Sequence, residues 1–168
     1  MKFVRPVAFL VGASLLGAGP AMAAPVSKTA TATAQILLPL SVINSRSLDF
    51  GLLSANSAGT ATIDPTTDVM TTTGGIVHAG GAPISAKFTG TAGGLNLVFI
   101  RVPTSVTLTR VGGTETMLVN QWVIEGGAFR LFTARTAFDF RVGATLNVSA
   151  TQFPGTYGGT YNVDVIYF

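Results

Sequence analysis

The sequence predicts an all-β domain, a sandwich or a barrel, made behind a cleavable secretory signal peptide. Three observations carry this. Apolar and polar residues alternate with period two over short segments, the pattern of half-buried strands. Gly-Gly pairs at 74–75, 80–81, 93–94, 112–113, 126–127 and 158–159 punctuate those segments as turn signals. Beyond residue 23, no stretch of about 11 residues keeps apolar side chains at i, i+3, i+4 and i+7, so no amphipathic helix is expected.

The chain opens with Met1-Lys2-Phe3-Val4-Arg5-Pro6, two cations and no acid. Val7 to Ala18 is an uncharged apolar run, broken by Gly19-Pro20, and Ala21-Met22-Ala23 supplies small residues for a signal peptidase. The run is shorter than the ~20 residues that span a bilayer. Residues 1–23 therefore read as a signal peptide, and no lipobox cysteine follows it. Export across the inner membrane is expected, with a final location in the periplasm, at the cell surface or outside the cell. No membrane span is expected in the exported chain.

Removing Lys2 and Arg5 changes the charge balance. The 10 Lys+Arg and 7 Asp+Glu of the whole chain become 8 and 7, so the net charge falls from +3 to +1. No Lys/Arg cluster remains to steer nucleic acid, and no nucleic-acid partner is expected. Charged residues make up 10% of the chain, where about 25% is usual. Two readings fit: a surface covered by assembly, or one wetted by its many Thr, Ser and Asn residues. Cysteine is absent, which excludes a disulfide, a thiol nucleophile and a Cys metal site.

The first apolar pattern of the exported chain is long. Ala30, Ala32, Ala34, Ile36, Leu38, Leu40 and Val42 alternate with mostly polar neighbours, and Pro39 marks an edge or a bend. This exceeds the roughly 5–6 residues of a mean strand. It divides into an extended arm, residues 24–34, and a first strand from about Gln35 to Asn44. The domain proper spans 35–168, with no repeat and no linker.

Within it, Ile84, Ala86 and Phe88 alternate with Ser85, Lys87 and Thr89. Leu95 to Ile100 is a denser run, read as central or buried on both faces. Val106 and Leu108 alternate with Thr107 and Thr109, and Phe138 and Phe140 oppose Asp139 and Arg141.

Catalytic chemistry has little to stand on. His78 is the sole histidine, with no second nitrogen or sulfur ligand, and reads as a loop-edge residue. Asp64 and Asp68 flank Pro65-Thr66-Thr67. They have the spacing to share a Ca²⁺ ion, but read more simply as solvated loop acids. Neither G-x-S-x-G nor a P-loop occurs. No enzyme, metal or cofactor is expected.

The C-terminus is more informative. Tyr161, Val163, Val165 and Tyr167 share one face of a strand that ends at Phe168. In an outer-membrane barrel the lipid face would lie in register with Phe168, and here that register holds Ile166, Asp164, Asn162 and Thr160. A charge and an amide there disfavour the barrel.

This end resembles the chaperone–usher pilins of Gram-negative bacteria. They finish in an alternating apolar strand with a penultimate Tyr, here Tyr167, and a Gly fourteen places from the end, here Gly155. More broadly, residues 32–168 resemble an uncharacterised family of small exported bacterial β-proteins. The likeness rests on Leu37-Leu38-Pro39-Leu40-Ser41-Val42, Leu48-Asp49-Phe50-Gly51, Val142-Gly143-Ala144-Thr145-Leu146 and Gly155-Thr156-Tyr157-Gly158-Gly159-Thr160-Tyr161.

The pilin resemblance implies an immunoglobulin-like antiparallel sandwich lacking its last strand, which the arm of another subunit supplies by β-strand addition. Donor residues would be Val26, Ala30, Ala32 and Ala34. The acceptor or chaperone-pairing edge would comprise Gly155, Tyr161, Val163, Val165, Tyr167 and Phe168. Implied partners are copies of the chain or related subunits, a periplasmic chaperone and an outer-membrane usher. At about 0.8 kcal/mol per CH₂, three Ala in place of three Leu forgo roughly 6–7 kcal/mol, so ladder hydrogen bonds would carry more of such a joint. The alternative is a self-complete secreted or surface-attached binding module, with loops around Gly112-Gly113 and Gly126-Gly127 as contact surfaces.

Overall fold

The computed structural model describes residues 41–168. Among them the chain is all β, with no helix. The proposed first strand begins outside the described residues. Its described part is β1, Val42–Arg46, which runs two residues past Asn44.

The largest sheet has the order β1-β6-β11-β9-β8-β12 and is antiparallel throughout. Its members are β6 (Ala86–Ala92), β8 (Ser105–Arg110), β9 (Thr116–Ile124), β11 (Thr136–Val148) and β12 (Tyr157–Gly158). β3 (Gly59–Ile63) also joins β11, and β4 (Met70–Thr72) pairs with β3. A second sheet has the order β10-β7-β13, from β7 (Asn96–Arg101), β10 (Phe129–Phe132) and β13 (Asp164–Tyr167). A third holds β2 (Leu52–Ala55) against β5 (Ile76–Gly80).

The sheets pack in a sandwich-like arrangement around two apolar clusters. One joins Phe88 and Ala92 of β6 and Phe138, Phe140 and Val142 of β11 to Val98 and Ile100 of β7. Phe140 is fully buried and stacks on Phe88, with ring centroids 5.3 Å apart. The other gathers Phe50, Ala61, Ile63, Ile76, Val119 and Leu146. Trp122 packs against both.

The strand of 13 residues, β11, organises the large sheet. Its first half pairs with β6, from Thr136↔Ala92 to Val142↔Ala86, and its second half with β3, from Thr145↔Thr62 to Val148↔Gly59. The handover falls at Gly143, where the β9–β11 register also shifts. A tight turn at Gly126-Gly127, with φ of 71° and 86°, carries the chain from β9 to β10 and so from one sheet to the other. Both values lie in the left-handed region, where only glycine is free of strain.

Two expectations need correction. The alternation puts Ser85, just before β6, among the polar positions, yet it is fully buried. Its hydroxyl donates to Asp68 Oδ1 at 2.5 Å and its amide donates to the same oxygen at 2.9 Å. Arg46 completes the cluster, 3.1 Å from Asp68 Oδ2 and donating to the Ser85 carbonyl at 3.0 Å. Asp68 is therefore a structural tie rather than a solvated loop acid, while Asp64 accepts from the Thr66 amide at 2.7 Å. The second correction is that the dense run at 95–100 is central but not buried on both faces: Leu97 is exposed, and Leu95 is 80% exposed in the preceding turn.

Burial works against the charged form of Asp68. It is outweighed by the Ser85 hydrogen bonds and by Arg46, so the pKa lies below its ordinary value. A depressed carboxyl pKa contributes stability that is complete above the unfolded value of about 3.9 and is lost as pH falls through the folded value. Asp68→Asn should cost about 1.5–3 kcal/mol at pH 7, the range for hydrogen bonds to a charged group. The gap between variant and parent should close on acidification below about pH 4. Urea melts at pH 7 and pH 3 check both statements; an unchanged gap at the two pH values contradicts them.

Candidate functional site

The C-terminal segment crosses between sheets. Tyr157 and Gly158 pair with Arg110 and Thr109 of β8, in the large sheet. The chain then runs through Tyr161 and Val163 to β13, which pairs with β7 from Asp164↔Arg101 to Tyr167↔Val98. Tyr161, Val163, Val165 and Tyr167 all pack on the β6–β7–β11 cluster, so the one-face expectation for these four holds. Regular pairing begins only at Asp164, and Gly155 lies apart from β13, in the turn before β12.

Among the described residues, β13 has β7 as its one sheet neighbour. The Phe168 amide donates to the Leu97 carbonyl at 2.9 Å, and the Leu97 amide donates to the Phe168 carbonyl at 3.2 Å. Antiparallel pairing alternates, so Asp164, Ile166 and Phe168 direct their backbone groups at β7. Those of Val165 and Tyr167 point away from it. The outer rim of β13 thus carries backbone donors and acceptors with no sheet neighbour among the described residues, the condition for adding a strand. The residues expected to supply that strand, Val26, Ala30, Ala32 and Ala34, lie outside the described residues.

Tyr161 is the pivot of the crossing. Its ring meets Trp122 at 4.6 Å. Burial pushes its hydroxyl pKa up to about 12 and raises that of Tyr167. Neither hydroxyl, nor Trp122 Nε1, has a hydrogen-bond partner among the described residues.

Two quoted stretches meet in space. Leu48–Leu53 and Gly155–Gly159 with Tyr161 line a common cleft of about 330 Å³, together with Val106, Leu108 and Met117. The turn at its mouth is fixed locally: Tyr157 Oη donates to the Phe153 carbonyl at 2.7 Å, and Gln152 Nε2 donates to Tyr157 Oη at 2.7 Å. The cleft is small, at the lower end of the ~300–1,000 Å³ of ligand pockets, and its lining is polar and apolar in similar measure.

His78 lies exposed within β5 opposite Leu53, not at a loop edge. Among the described residues, no three His, Cys, Asp or Glu side chains are placed to hold a metal ion. Several charges elsewhere are locally matched. Lys87 pairs with Asp139 at 2.8 Å, Arg110 with Glu115 at 2.6 Å, and Arg141 lies between Asp68 at 3.6 Å and Glu125 at 3.9 Å. The Gly112-Gly113 turn joins β8 to β9, at a hairpin end distant in the sheet order from β13.

Sequence reasoning did not find the outer face of the second sheet. Phe129 lies opposite Phe99 and Leu131 opposite Leu97, while Ile166 flanks Phe99 on the other side. Their alternating neighbours Val98, Ile100, Phe132, Val165 and Tyr167 face the core, so these residues face out. The available signal was the alternation of Phe129 and Leu131 with Arg130 and Phe132, but only the strand pairing shows that the two meet Leu97 and Phe99.

Edge, cleft and outer face together define an all-β, sandwich-like domain whose prominent surfaces are apolar and backbone-rich. The chain belongs to the DUF4402 family, a domain of unknown function, whose model matches residues 40–167. No curated protein and no solved structure matches it.

Proposed function

We propose that the chain is an exported, non-catalytic structural subunit of a pilus-like or cell-surface assembly, joined by β-strand addition. The observation that carries this reading is the rim of β13, where Val165 and Tyr167 turn their backbone groups away from β7 while their side chains anchor the strand in the core. An extended segment laid along that rim gains main-chain hydrogen bonds without disturbing the sandwich. The arm at 24–34 has the length for this: 11 residues reach roughly 36 Å when extended. A periplasmic chaperone would occupy the same rim before assembly, and an outer-membrane usher would receive the subunit.

The exported chain should form filaments or dissociation-resistant oligomers, and removing residues 24–34 should abolish them while leaving the fold intact. Light scattering after size exclusion, with circular dichroism as the fold check, reads both. A deletion that melts the domain favours an arm folded back on its own sandwich.

The cleft lined by Leu48–Leu53, Gly155–Gly159 and Tyr161 favours a second reading, a self-complete binding module that takes a small group of mixed polarity. That reading keeps the chain monomeric.

A further inference from the structure

The outer face of the β10-β7-β13 sheet carries six large apolar side chains in two rows. Phe129, Phe99 and Ile166 form one row, and Leu131, Leu97 and Phe168 the other. Phe129, Leu131 and Phe168 are 64%, 68% and 69% exposed. The Phe99 and Phe129 rings are already in contact, with centroids 4.6 Å apart. At one end of the patch, Arg101 grips Asp164 through Nε at 3.0 Å and through its terminal nitrogen at 2.6 Å.

We infer that this face docks against the same face of a second copy of the chain. Taking about 150–250 Å² for each whole aromatic side chain, and somewhat less for each aliphatic one, the patch exposes on the order of 500 Å². That lies near the upper end of contiguous apolar patches on monomers, about 300–600 Å². Two such faces bury on the order of 1,000 Å², the lower bound for a specific contact. Flat sheet faces pack together at about 10 Å with their side chains interdigitated.

The rim selects the partner. An anionic membrane or an acidic protein calls for a cluster of unpaired cations, whereas the Arg101–Asp164 pair at one end of this face is already matched in sign. A two-fold axis through the patch presents each Arg101–Asp164 pair to a copy with the same two charges, so both signs are met. The contact uses the face of β13 and strand addition uses its rim, so the two are independent.

Cysteine trapping of the exported chain tests this directly, because the chain has no cysteine of its own. Leu97→Cys, on the central strand of the patch, should link two copies on mild oxidation. Val77→Cys, exposed on the separate β2–β5 sheet, should stay unlinked. Leu131→Lys should raise the dissociation constant of the contact about a hundredfold in sedimentation velocity, the effect of burying an unpaired charge in an interface core, with the circular dichroism spectrum unchanged. Deleting residues 24–34 should leave the linking of Leu97→Cys intact, whatever becomes of strand addition. Equal linking of the two cysteine variants overturns the proposal, as does sedimentation that Leu131→Lys leaves unaltered. A monomer that floats with phosphatidylglycerol vesicles, and stops doing so in Leu131→Lys, also overturns it by making the face a membrane contact.

Discussion

Gly143→Ala should cost about 3 kcal/mol or more, or prevent folding altogether, although it adds a single methyl group. Gly143 sits where β11 passes from β6 to β3. A Cβ there would collide with the Ile63 carbonyl oxygen and stand 2.8 Å from Cδ of Pro65. Neither obstacle is a flexible side-chain tip. Ile63 is the last residue of β3 and is itself fully buried, so moving its carbonyl means moving the strand that β11 pairs with. Gly158→Ala makes the same chemical change where nothing lies within 4 Å of the new methyl group. It should change stability by less than about 1 kcal/mol, the usual range for Gly→Ala where the backbone permits it. Parallel urea melts of the two variants check the contrast, and similar midpoints would contradict the packing described for β11.

Val165→Pro should abolish assembly while sparing the domain. The Val165 amide points away from β7, so proline at this position removes no hydrogen bond from the existing ladder. It removes a donor from the outer rim and places a ring where an added strand must approach. The Val165 side chain packs on the core, so a cost of about 1–2 kcal/mol from lost burial is expected. Ile166→Pro is the informative partner, because the Ile166 amide faces β7 and its loss breaks the sheet itself. The account therefore expects a folded domain that forms no filaments from Val165→Pro and a destabilised domain from Ile166→Pro. Filaments that persist in a folded Val165→Pro variant would remove the rim of β13 from the joint.

The fold class was legible because it rests on periodicity. Phe138 and Phe140 against Asp139, and Ala86 and Phe88 against Lys87, announce one buried and one exposed face without any knowledge of partners. Gly126-Gly127 likewise announces a turn that the structure makes at two positive φ values. Ser85 misleads for a physical reason: a polar residue becomes a core residue once a distant carboxylate satisfies it, and Asp68 lies 17 residues upstream in a loop. The anchoring face of the C-terminal strand was legible from Tyr161, Val163, Val165 and Tyr167. The crossing from β8 to β7 was not, because an unbroken alternation looks the same whether one sheet or two receive it. The outer patch was illegible for a similar reason. Phe129 and Leu131 are separated from Leu97 and Phe99 by some thirty positions, and only cross-strand register makes them neighbours.

The central claim is that the rim of β13 receives a strand from another copy. Its most direct test is light scattering with negative-stain microscopy of residues 24–168, run beside residues 35–168. The account predicts filaments, or a ladder of oligomers that resists dissociation, for the first and a folded species no larger than a dimer for the second. A heat-stable monomer from residues 24–168 would contradict it, and would leave the cleft beside Tyr161 as the surface to pursue.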